Sequence, residues 1–381
     1  MNILFVTSNF PPLEGGIAAF DYHICKELSG LGHKVLVLSN RVVGDEIIDS
    51  QQNFRVKRLN GRVRPTSGEA IYEMLNLTRK EKIETIFFGH FGSTHWLGGV
   101  LAKKIFKIPY VILVHGTEFN AYFHGFTWAD NWASKVVLRN ASRVVVNSRT
   151  TKNLVEEHGY SSNRIHVVHP GANLASFEQY YSHQEVREKS QLKHKKVLLT
   201  VSRLVSRKNH ENVLKALPLV IERVPDLIYF VVGKGEEEDR LKGLTKNLGL
   251  GEYVKFVGYV EPEDVSFYYK TCDVFIMPSK REGKDYEGFG IVYAEANACG
   301  KPVIGGKSGG VEDAVIDGVT GLLVDPENIE DISGAIIRLL TDQEYAKRLG
   351  ENGRRRVEEE LNWTMVGRKI EEIMKKTLTD K

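Results

Sequence analysis

The sequence predicts an α/β protein made of two doubly wound, Rossmann-like domains facing each other across a cleft. Three observations lead there. Short runs rich in Val, Ile, Leu and Phe recur, each followed by a longer helical pattern, which is the rhythm of βαβ units on parallel sheets buried on both faces. That rhythm lapses between Gly171 and Lys195 and starts afresh at Lys196. The length, 381 residues, exceeds the roughly 100–200 residues usual for one domain.

Taken in order, the first domain (1–172) has strand runs at Asn2–Thr7, Lys34–Leu38, Glu84–Phe88, Tyr110–Val114, Arg143–Asn147 and Ile165–Val168. The interval Gly171–Lys195 is polar and aromatic, as expected of a hinge with a covering helix. The second domain (173–362) then repeats the pattern at Lys196–Ser202, Ile228–Val232, Tyr253–Val257, Asp273–Met277, Pro302–Ile304 and Gly321–Val324. Finally, Trp363–Lys376 places Met365, Val366, Ile370, Ile373 and Met374 at helical spacing, an amphipathic helix that must pack on something.

Composition narrows the function classes. Hydrophobic residues at 42% and charged residues at 27% suit a folded soluble protein. Lys+Arg 52 against Asp+Glu 49 gives only +3, which argues against a nucleic-acid partner. The charge is uneven: Met1–Ala172 holds 20 basic and 14 acidic residues, net +6, and the remainder is net −3. Within the first part, Arg55, Lys57, Arg58, Arg62 and Arg64 have no acidic residue among them, which fits either a solvated face or peripheral contact with an anionic membrane. Three cysteines, Cys25, Cys272 and Cys299, lack metal-ligand spacing, so neither a zinc site nor a disulfide framework is expected and a reducing cytosol fits. No run approaches the ~18 apolar residues of a membrane span, and Met1–Val6 reads as a strand rather than a signal peptide. The expected location is cytoplasmic, with the inner membrane face as the peripheral alternative.

The most informative stretch runs from Tyr286 to Ile304. The strand at Asp273–Met277 leads into a glycine-containing loop, Gly288-Phe289-Gly290-Ile291, and a helix expected from about Phe289 to Gly300. Free N–H groups at such a helix start favour an anion such as a diphosphate. Glu287 and Glu295 lie eight positions apart, too far to share a proton but suited to two hydroxyl-bearing parts of one ligand. Earlier in the same domain, Arg203 and Lys208 follow the strand Lys196–Ser202, at the ligand edge of an open α/β sheet. Their neighbour Arg207 reads as a solvated surface charge. In the first domain, Gly15 and Gly16 sit between a strand and a helix, where either a plain turn or an amide-lined anion site would use glycine. The pattern there is not G-x-G-x-x-G, which weighs against a dehydrogenase. His115 ends the strand Tyr110–Val114, on the side of the expected cleft.

These motifs together resemble the retaining glycosyltransferases of the GT-B fold, family 4, whose signature is two glutamates separated by seven residues. The similarity extends through Gly300-Lys301-Pro302-Val303-Ile304, Ser308-Gly309-Gly310-Val311-Glu312-Asp313 and Asp317–Val324, and covers nearly the whole chain. The resemblance implies that Glu287 meets the donor sugar hydroxyls, Glu295 the ribose, and His115 a sugar hydroxyl. It implies that Arg203 and Lys208 bind the diphosphate, that Gly233, Lys234, Gly235 and Val260 line the base, and that Gly15 and Gly16 face the donor. Gly288, Phe289, Gly290 and Ile291 form its helix start. The implied reaction moves a hexose from a nucleoside-diphosphate sugar to a glycan or lipid-linked hydroxyl with retention, without a metal or other cofactor. The closing helix Trp363–Lys376 is expected on the first domain, and the loops Gly61–Gly68 and Phe119–Trp128 are expected to read the acceptor.

Within the family, Lys280–Gly290 looks like the version in phosphatidylinositol mannosyltransferases and bacterial polysaccharide enzymes. That pattern suggests GDP-mannose, whereas UDP-glucose-type donors are commoner in the family at large, which tilts the expectation slightly to a UDP-sugar. Two other classes share the architecture: a nucleotide-sugar epimerase, which would form product without an acceptor, and a catalytically silent nucleotide-sugar-binding protein, which the intact Arg203, Lys208, Glu287 and Glu295 oppose.

Overall fold

In a computed structural model of the chain, the structure describes residues 1–13, 15–60, 68–92, 96–116, 118–120, 128–174 and 192–379. The chain divides into two compact units, Met1–Pro170 with Trp363–Lys381, and Gly171–Asn362. The first ends two residues before the expected 172. Ala172 already belongs to the second unit, where its N–H bonds the Leu361 carbonyl at 2.7 Å. The hinge interval falls largely at 175–191, outside the described residues, as do 61–67 and 121–127 of the two acceptor loops.

The first unit is one parallel sheet in the order β3-β2-β1-β4-β5-β6-β7. Its strands are β1 Asn2–Val6, β2 Lys34–Asn40, β3 Arg55–Leu59, β4 Thr85–Phe88, β5 Tyr110–Val114, β6 Arg143–Val146 and β7 Ile165–Val167. All but β3 were legible as apolar runs. β3 lies at the sheet edge and reads R-V-K-R-L, so its outward cations hid its alternation. Its helices are α1 Gly16–Gly30, α2 Asp45–Ser50, α3 Gly68–Lys80, α4 Trp96–Phe106, α5 Trp128–Asn140 and α6 Arg149–Glu157. Met74, Trp96, Val100, Val137, Leu138 and Val155 from α3 to α6 share one core with the Leu4, Val6, Ile86, Phe88 and Ile112 face of the sheet. Right-handed crossovers put helices that connect in the other direction, such as α1, on the opposite face.

The basic stretch is not acid-free in space. Arg58 is buried against Asp49 (Nη2 to Oδ1 2.7 Å) and also donates to the Pro11 and Asn40 carbonyls, while Arg55 pairs with Glu81 at 3.0 Å and Lys57 with Glu73. The acids come from α2, α3 and the turn after it, so linear spacing could not show them. Arg62 and Arg64 lie outside the described residues.

The second unit is a six-stranded parallel sheet, order β10-β9-β8-β11-β12-β13. Its strands are β8 Lys196–Val201, β9 Leu227–Val232, β10 Val254–Gly258, β11 Val274–Met277, β12 Val303–Gly306 and β13 Gly321–Val324. The helices are α7 His210–Ile221, α8 Glu238–Asn247, α9 Pro262–Thr271, α10 Ile291–Ala298, α11 Val311–Ala314, α12 Ile329–Thr341 and α13 Gln343–Glu359. The final helix, α14 Trp363–Thr379, returns to the first unit. There Trp363 stacks on His23 (4.5 Å between centroids, 10°) and meets Phe20 edge-on, Gly367 passes against Glu27, and Glu371 pairs with His33 at 2.8 Å.

Beneath the carboxyl ends of β1 and β4 lies Asp21, fully buried on α1, accepting from Thr7 Oγ1 at 2.6 Å. Burial raises its pKa well above the ordinary carboxylate range, opposed by the Thr7 hydrogen bond and aided by the charge of Glu118. Its carboxyl fills the space a side chain at residue 89 would need: a Cβ on Gly89 would fall 2.4 Å from Asp21 Oδ2. Gly89→Ala should therefore cost about 2 kcal/mol or more in urea unfolding. In the Asp21→Ala background the same substitution should cost markedly less, because the pair shares one space; additivity of the two losses would refute that account.

Candidate active site

The loops that follow β8 and β9 build one side of the second unit's site. After β8, Ser202–Val205 leads into a single turn, Ser206–Lys208, and Asn209 takes the left-handed conformation (φ 63°) before α7. Its Nδ2 holds that bend by donating to the Pro278 and Pro326 carbonyls at 3.1 and 2.6 Å. The bend sends Lys208 inward, where Nζ donates to Glu287 Oε2. Arg207, read from sequence as a surface charge, is also turned inward: its Nη1 donates to the same Glu287 oxygen at 2.9 Å, and its Nε lies 3.2 Å from Asp285. What sequence could have shown is that Asp285 and Glu287 are separated by one residue and can grip one guanidinium; only the fold brings them to it.

Glu287 is buried, which by itself would raise its pKa, but the charges of Lys208 and Arg207 and their hydrogen bonds outweigh this and bring it to about 2. Burial pulls the Lys208 ammonium below its ordinary value, while Glu287 favours its charged form. The loop carrying Glu287 is pinned on both sides. Its carbonyl accepts from Gly310 N at 2.7 Å, and Lys280 N bonds the Arg207 carbonyl at 2.9 Å. Arg203 is exposed, its carbonyl accepting from Val205 N at 3.0 Å, and its guanidinium has no ion-pair partner among the described residues; its charge adds to the lowering at Lys208.

The glutamate-motif helix α10 begins at Ile291, two residues later than expected, because Gly290 adopts φ 83° as its N-cap. Any Cβ at Gly290 would lie 2.5 Å from the Tyr293 ring, so glycine is required twice over. Phe289 is only 2% exposed and belongs to the core with Phe275 and Tyr293. Gly288 and Ile291 flank it. Glu295 sits about one turn into α10, accepting from Tyr269 Oη at 2.7 Å, and burial raises its pKa against that bond.

Gly233 and Gly235 serve packing more than open amides. A Cβ at Gly233 would come 1.9 Å from the Ser202 carbonyl and one at Gly235 2.2 Å from that of Leu204, and the Gly233 N–H is spent on Gly258 O at 2.8 Å. The Lys234 carbonyl accepts from Leu204 N at 2.9 Å and its side chain is exposed. Val260 borders an open hollow of about 460 Å³ with Tyr259, Glu261, Asp264, Phe267 and Tyr268.

In the first unit, Gly15 (φ 125°) caps α1, and the space where side chains at Gly15 and Gly16 would stand is empty for 4 Å. His115 lies at the end of β5 with its ring edge-on to Phe20 and Nε2 3.3 Å from the Gly89 carbonyl. That carbonyl requires the proton on Nε2, leaving Nδ1 as an acceptor. Burial lowers the His115 pKa to about 4, so the ring is neutral at pH 7. Its main chain is clamped by Glu118, whose Oε1 accepts from His115 N at 2.5 Å, and by Asn147 Nδ2 on its carbonyl at 3.1 Å. Burial raises Glu118 to about 7 against three backbone N–H donors. Among the described residues, no group of three or more His, Cys, Asp or Glu is placed to hold a metal ion.

One consequence concerns acid stability. His210, buried at the start of α7, donates or accepts through Nε2 with Ser202 Oγ at 3.1 Å, and its Nδ1 has no partner. Burial, then the Lys208 charge, lowers its pKa to about 3. The unfolded chain takes up this proton near pH 6.5 and the folded one refuses it until about 3, so stability is lost as pH falls through that window. The slope is about 1.4 kcal/mol per pH unit for one such group. Urea unfolding of His210→Gln between pH 7 and 4 should show a pH dependence shallower by up to that slope; an unchanged dependence would show that His210 titrates normally.

Against this geometry the comparisons with known proteins are consistent along the whole chain. The family described as glycosyl transferases group 1 matches residues 182–356, and Glycosyltransferase Family 4 matches residues 14–176. A GDP-mannose-dependent alpha-(1-6)-phosphatidylinositol monomannoside mannosyltransferase of Mycolicibacterium smegmatis is 30% identical over 98% of both chains. The corresponding enzyme for the monoacylated acceptor in Corynebacterium glutamicum is 28% identical over 97% of both. Among solved structures, Anabaena HepE in complex with UDP is similar with a TM-score of 0.84 at 22% identity, over 99% of this chain and all of that one. A glycosyltransferase from Rickettsia africae follows at 0.82 and 20%, covering all of both chains. Two parallel doubly wound sheets, the paired glutamates and relatives aligned end to end identify the chain as a member of the family 4 glycosyltransferases of the GT-B fold.

Proposed function

We propose that this glycosyltransferase moves a mannose from GDP-mannose to a hydroxyl of a lipid-linked acceptor, with retention at the anomeric carbon. The observation that carries the proposal is the buried cluster of Lys208, Arg207 and Glu287 at the carboxyl edge of β8 and β11. A carboxylate with a pKa of about 2 stays ionised and can accept from sugar hydroxyls at any working pH. Lys208, Arg203 and the N–H groups opening α10 are the donors for the departing diphosphate, a fixed electrostatic environment for charge that develops in the transition state. His115, proton on Nε2, offers Nδ1 to a hydroxyl of the sugar. Glu295 receives the ribose. No protein nucleophile is assigned; the leaving phosphate takes the acceptor proton on the same face from which the new bond forms, and no metal is required.

The sequence alone tilted slightly to a UDP-sugar. Two considerations turn the proposal to GDP-mannose: the full-length relatives that use it, and the carboxylates of Glu261 and Asp264 at the hollow beside Val260. A guanine edge offers adjacent N1–H and N2–H donors to a carboxylate, whereas uracil offers one N–H between two carbonyls. A peripheral membrane location accompanies the lipid-linked acceptor. If the protein instead gave altered nucleotide sugar without any acceptor, the epimerase reading would replace this one.

Thermal shift with GDP and UDP, each at equal concentration, ranks the bases, and the larger stabilisation should be with GDP. Lys208→Ala should weaken GDP binding and slow transfer by about a hundredfold or more, the scale of losing one oxyanion donor. Normal rate and affinity in that variant would remove the assignment. Glu287→Gln should lower kcat with little change in GDP affinity, while Glu295→Ala should weaken GDP itself. Equal losses of GDP affinity in both would erase the division of roles between sugar and ribose.

A further inference from the structure

Arg55, Lys57 and Arg58 are each matched to a carboxylate, whereas a group of unpaired cations among the described residues of the first unit stands on the outer side of α3, α4 and α5. These helices form one layer. A Cβ at Gly98 of α4 would come 2.2 Å from Met74 of α3, and Lys103 of α4 donates to the Asn140 carbonyl at the end of α5 at 2.7 Å. Because each helix runs back from its strand, their last turns share the amino-terminal edge of the sheet. Arg79 and Lys80, Lys104 with Lys107 just beyond, and Arg139 stand there, with Lys135 one turn above; all six are exposed and none has an ion-pair partner among the described residues. From Thr85 to Thr117 the chain contains no acidic residue.

The same face carries five of the large apolar side chains that the first unit leaves in water: Tyr72, Leu101, Ile105 (58% exposed), Phe106 and Trp132 (61%). Leu101 and Ile105 are one turn apart on α4, the central helix, and Phe106 adjoins them. Tyr72 and Trp132 lie on the flanking helices. Scattered single apolar residues need no explanation, but aliphatic and aromatic groups grouped among unpaired cations mark an interaction surface.

We infer that the outer face of α3, α4 and α5 docks on an anionic lipid bilayer, with Leu101, Ile105 and Phe106 entering the headgroup boundary and the six cations meeting lipid phosphates. The chemistry selects this occupant. Aromatic and aliphatic tips with Lys and Arg around them match the layered polarity of a membrane interface. A second copy of the chain would set six cations against six, and a nucleic-acid backbone would have no use for the aliphatic centre. The inference goes beyond the lipid-linked acceptor reading and places contact on a different surface from Arg55, Lys57 and Arg58.

Sedimentation with vesicles of neutral lipid, and of neutral lipid mixed with phosphatidylglycerol, tests it with neither donor nor acceptor present. The full chain should pellet only with the anionic vesicles, and less at 1 M than at 0.1 M salt, as the Debye length falls from about 10 to about 3 Å. Each cation near the surface is worth roughly fivefold in partition. Lys104→Glu with Lys107→Glu should therefore reduce binding to the anionic vesicles by about a hundredfold or more, and Ile105→Ser with Phe106→Ser should weaken that same binding at an unchanged melting temperature. Arg55→Glu should leave it unchanged. Absence of pelleting with anionic vesicles, binding indifferent to both double variants, or a dimer in solution that either variant dissolves would overturn the proposal. Transfer to a detergent-dispersed acceptor reports on the reaction separately, so failure of docking leaves the transfer reading standing.

Discussion

The second unit is organised around one carboxylate that two cations share. Glu287 cannot leave its site without stranding Lys208 in a nearly water-free position, and Lys208 cannot leave without exposing Glu287 to the full cost of burial. Each of the surrounding devices serves that pairing: the left-handed Asn209 that turns Lys208 inward, the Lys280–Arg207 backbone bond, and the Ser308–Gly310 turn that grips the Glu287 carbonyl. Such a pair contributes little net stability, because desolvation offsets attraction. Its value is in position: a charged oxygen and a charged nitrogen are fixed before any ligand arrives, so no reorganisation is needed when charge develops.

The first unit solves a related problem with neutral groups. Burial pushes the Asp21 carboxyl toward its neutral form, His115 is an uncharged ring, and Gly89 has no side chain because Asp21 occupies the volume. Chemistry at that edge is limited to directed hydrogen bonding. The two units thus divide the work between fixed charge and fixed tautomer.

How much of this was legible in the sequence follows from the range of the interactions involved. Buried parallel strands are nearly pure Val, Ile, Leu and Phe, so twelve of them could be read locally; β3 could not, because this edge strand holds three cations, Arg55 and Lys57 toward solvent and Arg58 buried against Asp49. The motif residues Lys208, Glu287 and Glu295 were found because their spacing is local. Arg207 was misread because what makes it a site residue is Asp285 and Glu287, nearly eighty positions away. The acids that neutralise β3 escaped for the same reason. Phe289 and Gly233 were assigned to the donor by the family resemblance alone; that the Phe289 side chain fills the core and that Gly233 makes room for the Ser202 carbonyl could not be read from local spacing.

The return of α14 to the first unit has a consequence for how the chain is made. Its partners on α1, Phe20, His23 and Glu27, are made long before Trp363 and Gly367, which they meet. The second unit has all its strands and helices by Asn362 and can fold while still tethered, since its contacts are internal to one continuous segment. The first unit, though begun earlier, waits for α14, and the flank of α1 that α14 covers stays bare until then. That contact of long sequence separation is slow to form by chain diffusion, so of the two units it is the one begun first that closes later.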